Sequence, residues 1–243
     1  MNFEVDRDGA SRLIRGHLED APTRLLSQHE AHEIFNAYGL PVLKNRLART
    51  LEDVAGIVED LMPPLAMKVM SAHVIHKSDV GGVVLGIETV QAARDAYEGI
   101  VAQVKASLPD AVIDGVLMEE MAGEGVEVIA GGHRDEKFGP MIMFGMGGRM
   151  VEVWKDVTFR LSPMWRISAE RMIRQIRGFK LLQGVRGTPP SDIDAAAECI
   201  LRLAQLMHEY PEIKEFDINP LILYPVGQGA AVADGRMTLV KTT

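Results

Sequence analysis

Between Pro63-Pro64 and Gly81-Gly82 lies the stretch that most restricts how this chain can fold. It is a short apolar run, Leu65 to Met70, broken by one cation, Lys68, and followed by S-A-H-V-I-H-K-S-D-V-G-G. Such a run, entered through a turn, reads as a buried strand. A lysine inside it needs a reason, because burying an unpaired ammonium is costly. His73 and His76 come next, then Lys77, Ser78 and Asp79, and the glycine pair stands just ahead of a second apolar run, Val83 to Ile87. A glycine-rich loop between two strands, carrying hydroxyl, cationic and imidazole groups, is suited to cradle phosphate. It is not a Walker loop, since G-x-x-x-x-G-K-[ST] is absent, and so is G-x-G-x-x-G. The alternative is an ordinary polar loop beside a snorkelling lysine.

Upstream, Ser27-x-x-Glu30 is a capping-box pattern ahead of Ala31, Ile34, Phe35 and Tyr38 at helical spacing, and Gly39 and Pro41 stop that helix. Val42 to Ala48 reads as a short strand, and Thr50-x-x-Asp53 as the cap of a helix over Val54, Ile57, Val58 and Leu61. Thr89 caps a further helix running to about Lys105. Helix and strand thus alternate through this first part.

The pattern then changes. Ile113 to Met121 and Val126 to Gly132 read as the arms of a hairpin, with strands at Met141–Phe144 and Met150–Val157. Ser168 opens a helix, and Ser191-x-x-Asp194 opens the clearest one, with Ala196, Cys199, Ile200, Leu203 and Met207 on its apolar face. Ile213 to Tyr224 and Ala230 to Val240 form a final strand pair. The expected organisation is a lead-in over 1–25, one lobe over 26–110 and a second over 111–243, in an α+β class.

With 243 residues, 47% of them hydrophobic and 25% charged, the chain can bury a large core. No apolar run is long enough to span a bilayer, and the acidic N-terminus has no signal-like apolar region. A net charge of −8 disfavours a nucleic-acid reader, and no membrane partner is expected. The single cysteine, Cys199, cannot form an internal disulfide and falls in an apolar helical pattern. That places it in the core and fits a reducing, cytoplasmic location.

Polar groups interrupt otherwise apolar strands at Lys68, Glu119/Glu120, Glu127, Glu215/Asp217/Asn219 and Asp234. Singly, each is accounted for by half-exposed alternation in a solvated sheet. Together with the glycine loop they favour a site for a nucleoside triphosphate. Carboxylate and amide oxygens suit Mg²⁺, which commonly binds nucleotide phosphate as well, and Asn219 and Asp234 on neighbouring strands can reach one ion.

The segments H-K-S-D-V-G-G-V (76–83), V-L-M-E-E-M (116–121), F-G-P-x-I-M-F-G-M-G-G (138–148) and F-D-I-N-P-L (216–221) resemble the ATP-grasp subunit of ADP-forming acyl-CoA synthetases, relatives of succinyl-CoA synthetase. The resemblance runs from about Leu26 to Leu239. It implies an ATP-grasp fold, two lobes holding ATP or ADP with Mg²⁺ between them. It also implies a larger partner subunit that binds CoA, in an α₂β₂ assembly. Lys68 would then hold α/β-phosphate oxygens, with Lys77, Ser78, Gly81 and Gly82 facing phosphate. Glu119, Glu120 and Met121 would meet adenine and ribose, and Glu127 would lie near ribose or help position Lys68. Asn219 and Asp234 match the metal ligands, and His76 matches a histidine that carries the phosphoryl group near the nucleotide. Imidazole is a competent nucleophile for that step, being largely neutral at pH 7.

Two positions depart from the family pattern. Asp234-Gly235-Arg236 stands where acidic-Ala-Arg is usual, and Glu119 stands where Gln is usual. Arg160 and Arg186 fall in family segments, as surface ion-pairing residues or as contacts to phosphate or partner. A standalone ATP-grasp ligase that makes an acyl phosphate for another acceptor is the alternative function. A non-catalytic nucleotide-binding module is a third.

Overall fold

Leu43–Ala122 folds as one unit, and Met1–Val42 together with Gly123–Thr243 as another, in the computed structural model of this protein. The structure describes residues 2–71, 73–74, 77–148, 156–185 and 187–242. The first elements are α1 (Arg7–Leu18), β1 (Thr23–Leu26), α2 (Gln28–Ala37), β2 (Asn45–Ala48), α3 (Asp53–Asp60) and β3 (Leu65–Met70). A 3₁₀ turn (Lys77–Val80), β4 (Val83–Ile87), α4 (Val90–Ser107), β5 (Gly115–Glu120), β6 (Val126–Asp135) and β7 (Gly139–Met146) follow. The remainder is β8 (Val157–Leu161), α5 (Arg166–Gln175), a helical turn α6 (Phe179–Leu182), α7 (Ile193–Glu209), β9 (Ile213–Leu223), β10 (Ala230–Val232) and β11 (Gly235–Val240).

The unit Leu43–Ala122 is a four-stranded antiparallel sheet, ordered β2-β5-β3-β4. Leu65, Met67 and Val69 of β3 and Val116 and Met118 of β5 point to one face, where Val54, Val58, Ile100 and Val104 of α3 and α4 cover them. The period-2 alternation that makes this core sends Lys68 and Glu119 to the opposite face. Thr89 caps α4 by accepting the Ala92 N–H. Thr50 does not cap α3; the Asp53 carboxylate instead accepts the N–H groups of Arg49 and Thr50, both at 2.9 Å.

The larger unit is a seven-stranded sheet, β1-β11-β9-β6-β7-β8, with β10 also paired to β9. Val128, Ala130, Ile142, Phe144, Phe216, Ile218 and Met237 line its inner face against Ile200, Leu203 and Met207 of α7. Ser27 and Glu30 form the expected reciprocal capping box at α2. Helix α7 is capped by Asp192 rather than Ser191, and α5 begins ahead of Ser168 with Trp165 at its N-cap position.

Three expectations meet a different arrangement. Residues 1–25 are not a loose lead-in: Ala10, Ile14 and Leu18 of α1 are buried at i, i+4 spacing, and Arg7 makes a two-pronged ion pair with Glu209 of α7. β5 and β6 are not a hairpin. β5 lies between β2 and β3, while β6 lies between β9 and β7 in the other sheet, so the Met121–Gly125 connection passes from one unit to the other. The unit boundaries therefore fall at 42/43 and 122/123, not near 110. The Met150–Val157 strand lies largely outside the described residues, and β8 begins at Val157. No described helix is long and apolar enough to cross a membrane.

Candidate functional site

In the smaller unit the site begins with Lys68. Across the β3–β5 ladder Glu119 stands opposite Ala66, and Lys68 stands opposite Leu117, so the two charges are diagonal neighbours on one face. They form an ion pair, with the Lys68 side chain 16% and the Glu119 side chain 3% exposed. This answers the question the buried lysine raised. The carboxylate also lies opposite Asn45 of β2, whose amide donates to the Leu43 carbonyl at 2.8 Å. Glu119 thus faces Lys68 rather than being turned with Glu120, its neighbour on the opposite side of the pleat. The Glu120 carboxylate accepts the Met62 N–H at 3.0 Å, and the Met121 N–H is donated to the Pro64 carbonyl. Within the smaller unit Lys68 pairs with Glu119, while Glu127 belongs to the other unit.

The loop after β3 is held by its own backbone. The Gly82 N–H donates to the Lys77 carbonyl, the Gly81 N–H to Ser78, and the Gly82 carbonyl accepts from Val69. Gly81 has φ +67°, and a Cβ on Gly82 would lie 2.6 Å from Val69 Cγ1 and 2.9 Å from the Lys77 oxygen. The glycines are therefore required for the turn itself, and their N–H groups are used within it. What the loop offers outward is the exposed hydroxyl of Ser78 and the Asp79 carboxylate, with Lys77 half-buried. His73 accepts the Val112 N–H at 3.0 Å, which is a structural tie. His76 lies outside the described residues, as does Arg186.

In the larger unit the outer sheet face carries the second set. Alternation puts Glu215, Asp217 and Asn219 on that face of β9 and Arg236 on the same face of β11, with Asp217 directly opposite Arg236. The Asn219 N–H donates to the Asp234 carbonyl at 3.2 Å, which sets these two residues side by side at the start of β11. Asp234 also accepts the Gly235 N–H. Desolvation pushes the Asp217 carboxyl above the ordinary carboxylate range; Asp234 adds to this and Arg236 opposes it. A cation placed here would relieve the first two effects. Glu127 on β6 is exposed, and its side chain abuts Gly148, where a Cβ would lie 2.4 Å from Oε2.

Among the described residues no cluster of three or more His, Cys, Asp or Glu forms a ready-made metal cage. Mg²⁺ does not need one. It is commonly held by one or two carboxylates while phosphate and water complete its shell, and the Asn219–Asp234 oxygens fit that donor set. Asp217 shares the outer sheet face with Asn219, and its signal in the sequence is the i, i+2 spacing of D-x-N.

A family model described as an ATP-grasp domain matches residues 17–239. The beta subunit of ADP-forming acetate–CoA ligase I from Pyrococcus furiosus is 42% identical over 219 residues, 90% of this chain and 94% of that one. ADP-forming acetate–CoA ligase I from Archaeoglobus fulgidus is 40% identical over 239 residues, and the chain spans only 34% of its length. Among solved structures, acetyl-coenzyme A synthetase 1 of Ca. Korarchaeum cryptofilum, bound to coenzyme A and Ca-AMPCP, matches with TM-score 0.88 and 38% identity over 96% of this chain and 100% of that chain. Another structure of that synthetase holds coenzyme A and Mg-AMPPCP, with its phosphohistidine segment pointing towards the nucleotide binding site. It matches with TM-score 0.81 and 35% identity over 97% of this chain and 100% of that chain.

Proposed function

Because the chain belongs to the ATP-grasp family, and its relatives include beta subunits of ADP-forming acetate–CoA ligases, we propose that it is the nucleotide-binding subunit of an ADP-forming carboxylate–CoA ligase. The overall reaction is carboxylate + CoA + ATP ⇌ acyl-CoA + ADP + phosphate. A larger CoA-binding chain supplies the acyl chemistry, and this chain exchanges the phosphoryl group with ATP or ADP.

The observation that carries the reading is the Lys68–Glu119 pair. A cation fixed on a rigid strand, with its partner on the next strand, is pre-oriented toward an anionic ligand. Lys68 then neutralises phosphate oxygens, and Lys77 and Ser78 add a cation and a hydroxyl from the loop. Asn219 and Asp234 hold Mg²⁺. When bound, that ion neutralises charge on the β- and γ-phosphates. Glu120, Met121 and Glu127 are assigned to the nucleoside end. His76 is assigned as the phosphoryl carrier on this chain. Its neutral imidazole nitrogen donates a lone pair to form the N–P bond as the bond from Pγ to the bridging oxygen breaks. The leaving electron pair stays on ADP, and the ring proton passes to water.

The test combines this chain with the CoA-binding chain from the same source, measuring ATP-dependent acyl-CoA formation and acid-labile, base-stable protein phosphate. Acyl-CoA formation should require both chains, and His76→Ala should abolish the phosphate on this chain. Full turnover by this chain alone would rule the reading out.

A further inference from the structure

Gly235 is buried opposite Ile218, while Arg236, one residue further on, faces outward. Behind the glycine stands Phe35 of α2. A Cβ on Gly235 would lie 2.8 Å from Phe35 Cε2 and 3.6 Å from His32 Cδ2. Phe35 is fully buried and meets Phe216 of β9 edge-on, with ring centroids 5.7 Å apart, so its ring is hemmed in. The same helix holds Ala233, on the other side of Asp234. The Gln28 side-chain amide donates to the Ala233 carbonyl at 3.1 Å, and Gln28 is only 3% exposed. An amide buried beside Ala31, Ile34 and Phe35 needs such a partner. Both chain neighbours of Asp234 are thus backed by α2, while the Asp234 carbonyl accepts the Asn219 N–H.

We propose that Gln28 and Phe35 are positioning residues for the Asp234 carboxylate, acting through Ala233 and Gly235 from behind the sheet. The inference rests on the assignment of Asn219 and Asp234 to Mg²⁺ made above, and adds the device that fixes where the second of these ligands stands. It also accounts for glycine at 235, where alanine is usual in the family pattern. With an aromatic ring at 35, the space of an alanine methyl is already filled. Mg²⁺ demands near-ideal octahedral geometry, so a shift in one protein ligand falls directly on affinity for the ion. Groups that orient a metal ligand matter to that affinity although they never touch the metal.

Gly235→Ala, Gln28→Leu and the double variant Phe35→Leu/Gly235→Ala are compared with wild type. Binding of the methylene analogue AMPPCP is followed by calorimetry across a Mg²⁺ series and in EDTA, with melting temperature alongside. Gly235→Ala and Gln28→Leu should each raise the Mg²⁺ concentration for half-maximal binding by on the order of tenfold, with affinity in EDTA within about twofold. Leucine at 35 withdraws the ring carbon that the new methyl meets. The double variant should therefore return close to the wild-type Mg²⁺ requirement, even though its core loses packing and it melts lower.

A wild-type Mg²⁺ requirement in both single variants would overturn the inference, whatever their melting temperatures. A double variant no better than Gly235→Ala would overturn the role of Phe35. Equal weakening in EDTA would overturn the inference in favour of a direct effect on nucleotide. If Gly235→Ala does not fold, Gln28→Leu decides alone. Asp234→Asn separates the inference from the assignment beneath it. If that variant needs no more Mg²⁺ than wild type, the metal assignment falls and the inference with it. If it needs more while the variants behind it do not, the assignment stands and only the inference falls.

Discussion

Lys68 and Glu119 are diagonal neighbours across β3 and β5, a buried carboxylate facing a mostly buried ammonium on the sheet face that α3 and α4 leave open. Removing the cation takes the paired ammonium away from that buried carboxylate. Lys68→Met is expected to destabilise the fold by about 2–3 kcal/mol in urea titrations and to weaken Mg-ATP binding by on the order of tenfold or more. Lys68→Met combined with Glu119→Gln should cost less stability than the sum of the two. Additive losses would show that the pair is not coupled.

Asp217 gives a pH test with a definite sign. Desolvation, aided by Asp234 and opposed by Arg236, raises its pKa in the folded protein. A carboxyl raised on folding destabilises the native state once pH exceeds the ordinary aspartate value of about 3.9, and contributes nothing below it. Asp217→Asn should melt higher than wild type at pH 7, with the gain vanishing near pH 3. Identical melts at pH 7 would contradict this.

Asp192 joins the start of α7 to the β9–β10 turn. One oxygen accepts the Ala195 N–H at 3.0 Å, and the other accepts Gly227 and Gly229 at 2.9 and 3.0 Å. Burial would raise this carboxyl, and the backbone donors overcome that and hold it below the usual range. Its contribution is complete above the ordinary aspartate pKa and is lost as pH falls through the lowered folded value. Asp192→Ala is expected to lose about 2 kcal/mol at pH 7 by chemical denaturation. The deficit should shrink in strong acid.

Cys199 lies inside the core on α7, and burial pushes its thiol up to about 12. The thiolate is the reactive form, so a disulfide reagent at pH 8 should leave the native protein untouched and label it only in denaturant. Rapid native labelling would mean that α7 opens readily.

Much of the chain was legible because local rules and the fold agree. The Leu65–Met70 strand, the Ser27–Glu30 capping box, the Thr89 cap and the apolar face of α7 each depend on spacing within one element, and spacing is what a sequence displays. The four short motifs also carried the family. What spacing could not convey was which strands pair. Ile113–Met121 and Val126–Gly132 have the pattern of a hairpin, yet β5 and β6 are central strands of different sheets, because alternation specifies a buried face and not the neighbour that supplies the ladder. For the same reason the sequence showed that Lys68 needed a partner, and only the β3–β5 register chose Glu119. Asp217, Asn219, Asp234 and Arg236 are separate polar positions in the chain. They become one charged cluster only when β9 and β11 pair, since electrostatic interaction depends on distance through space rather than along the chain.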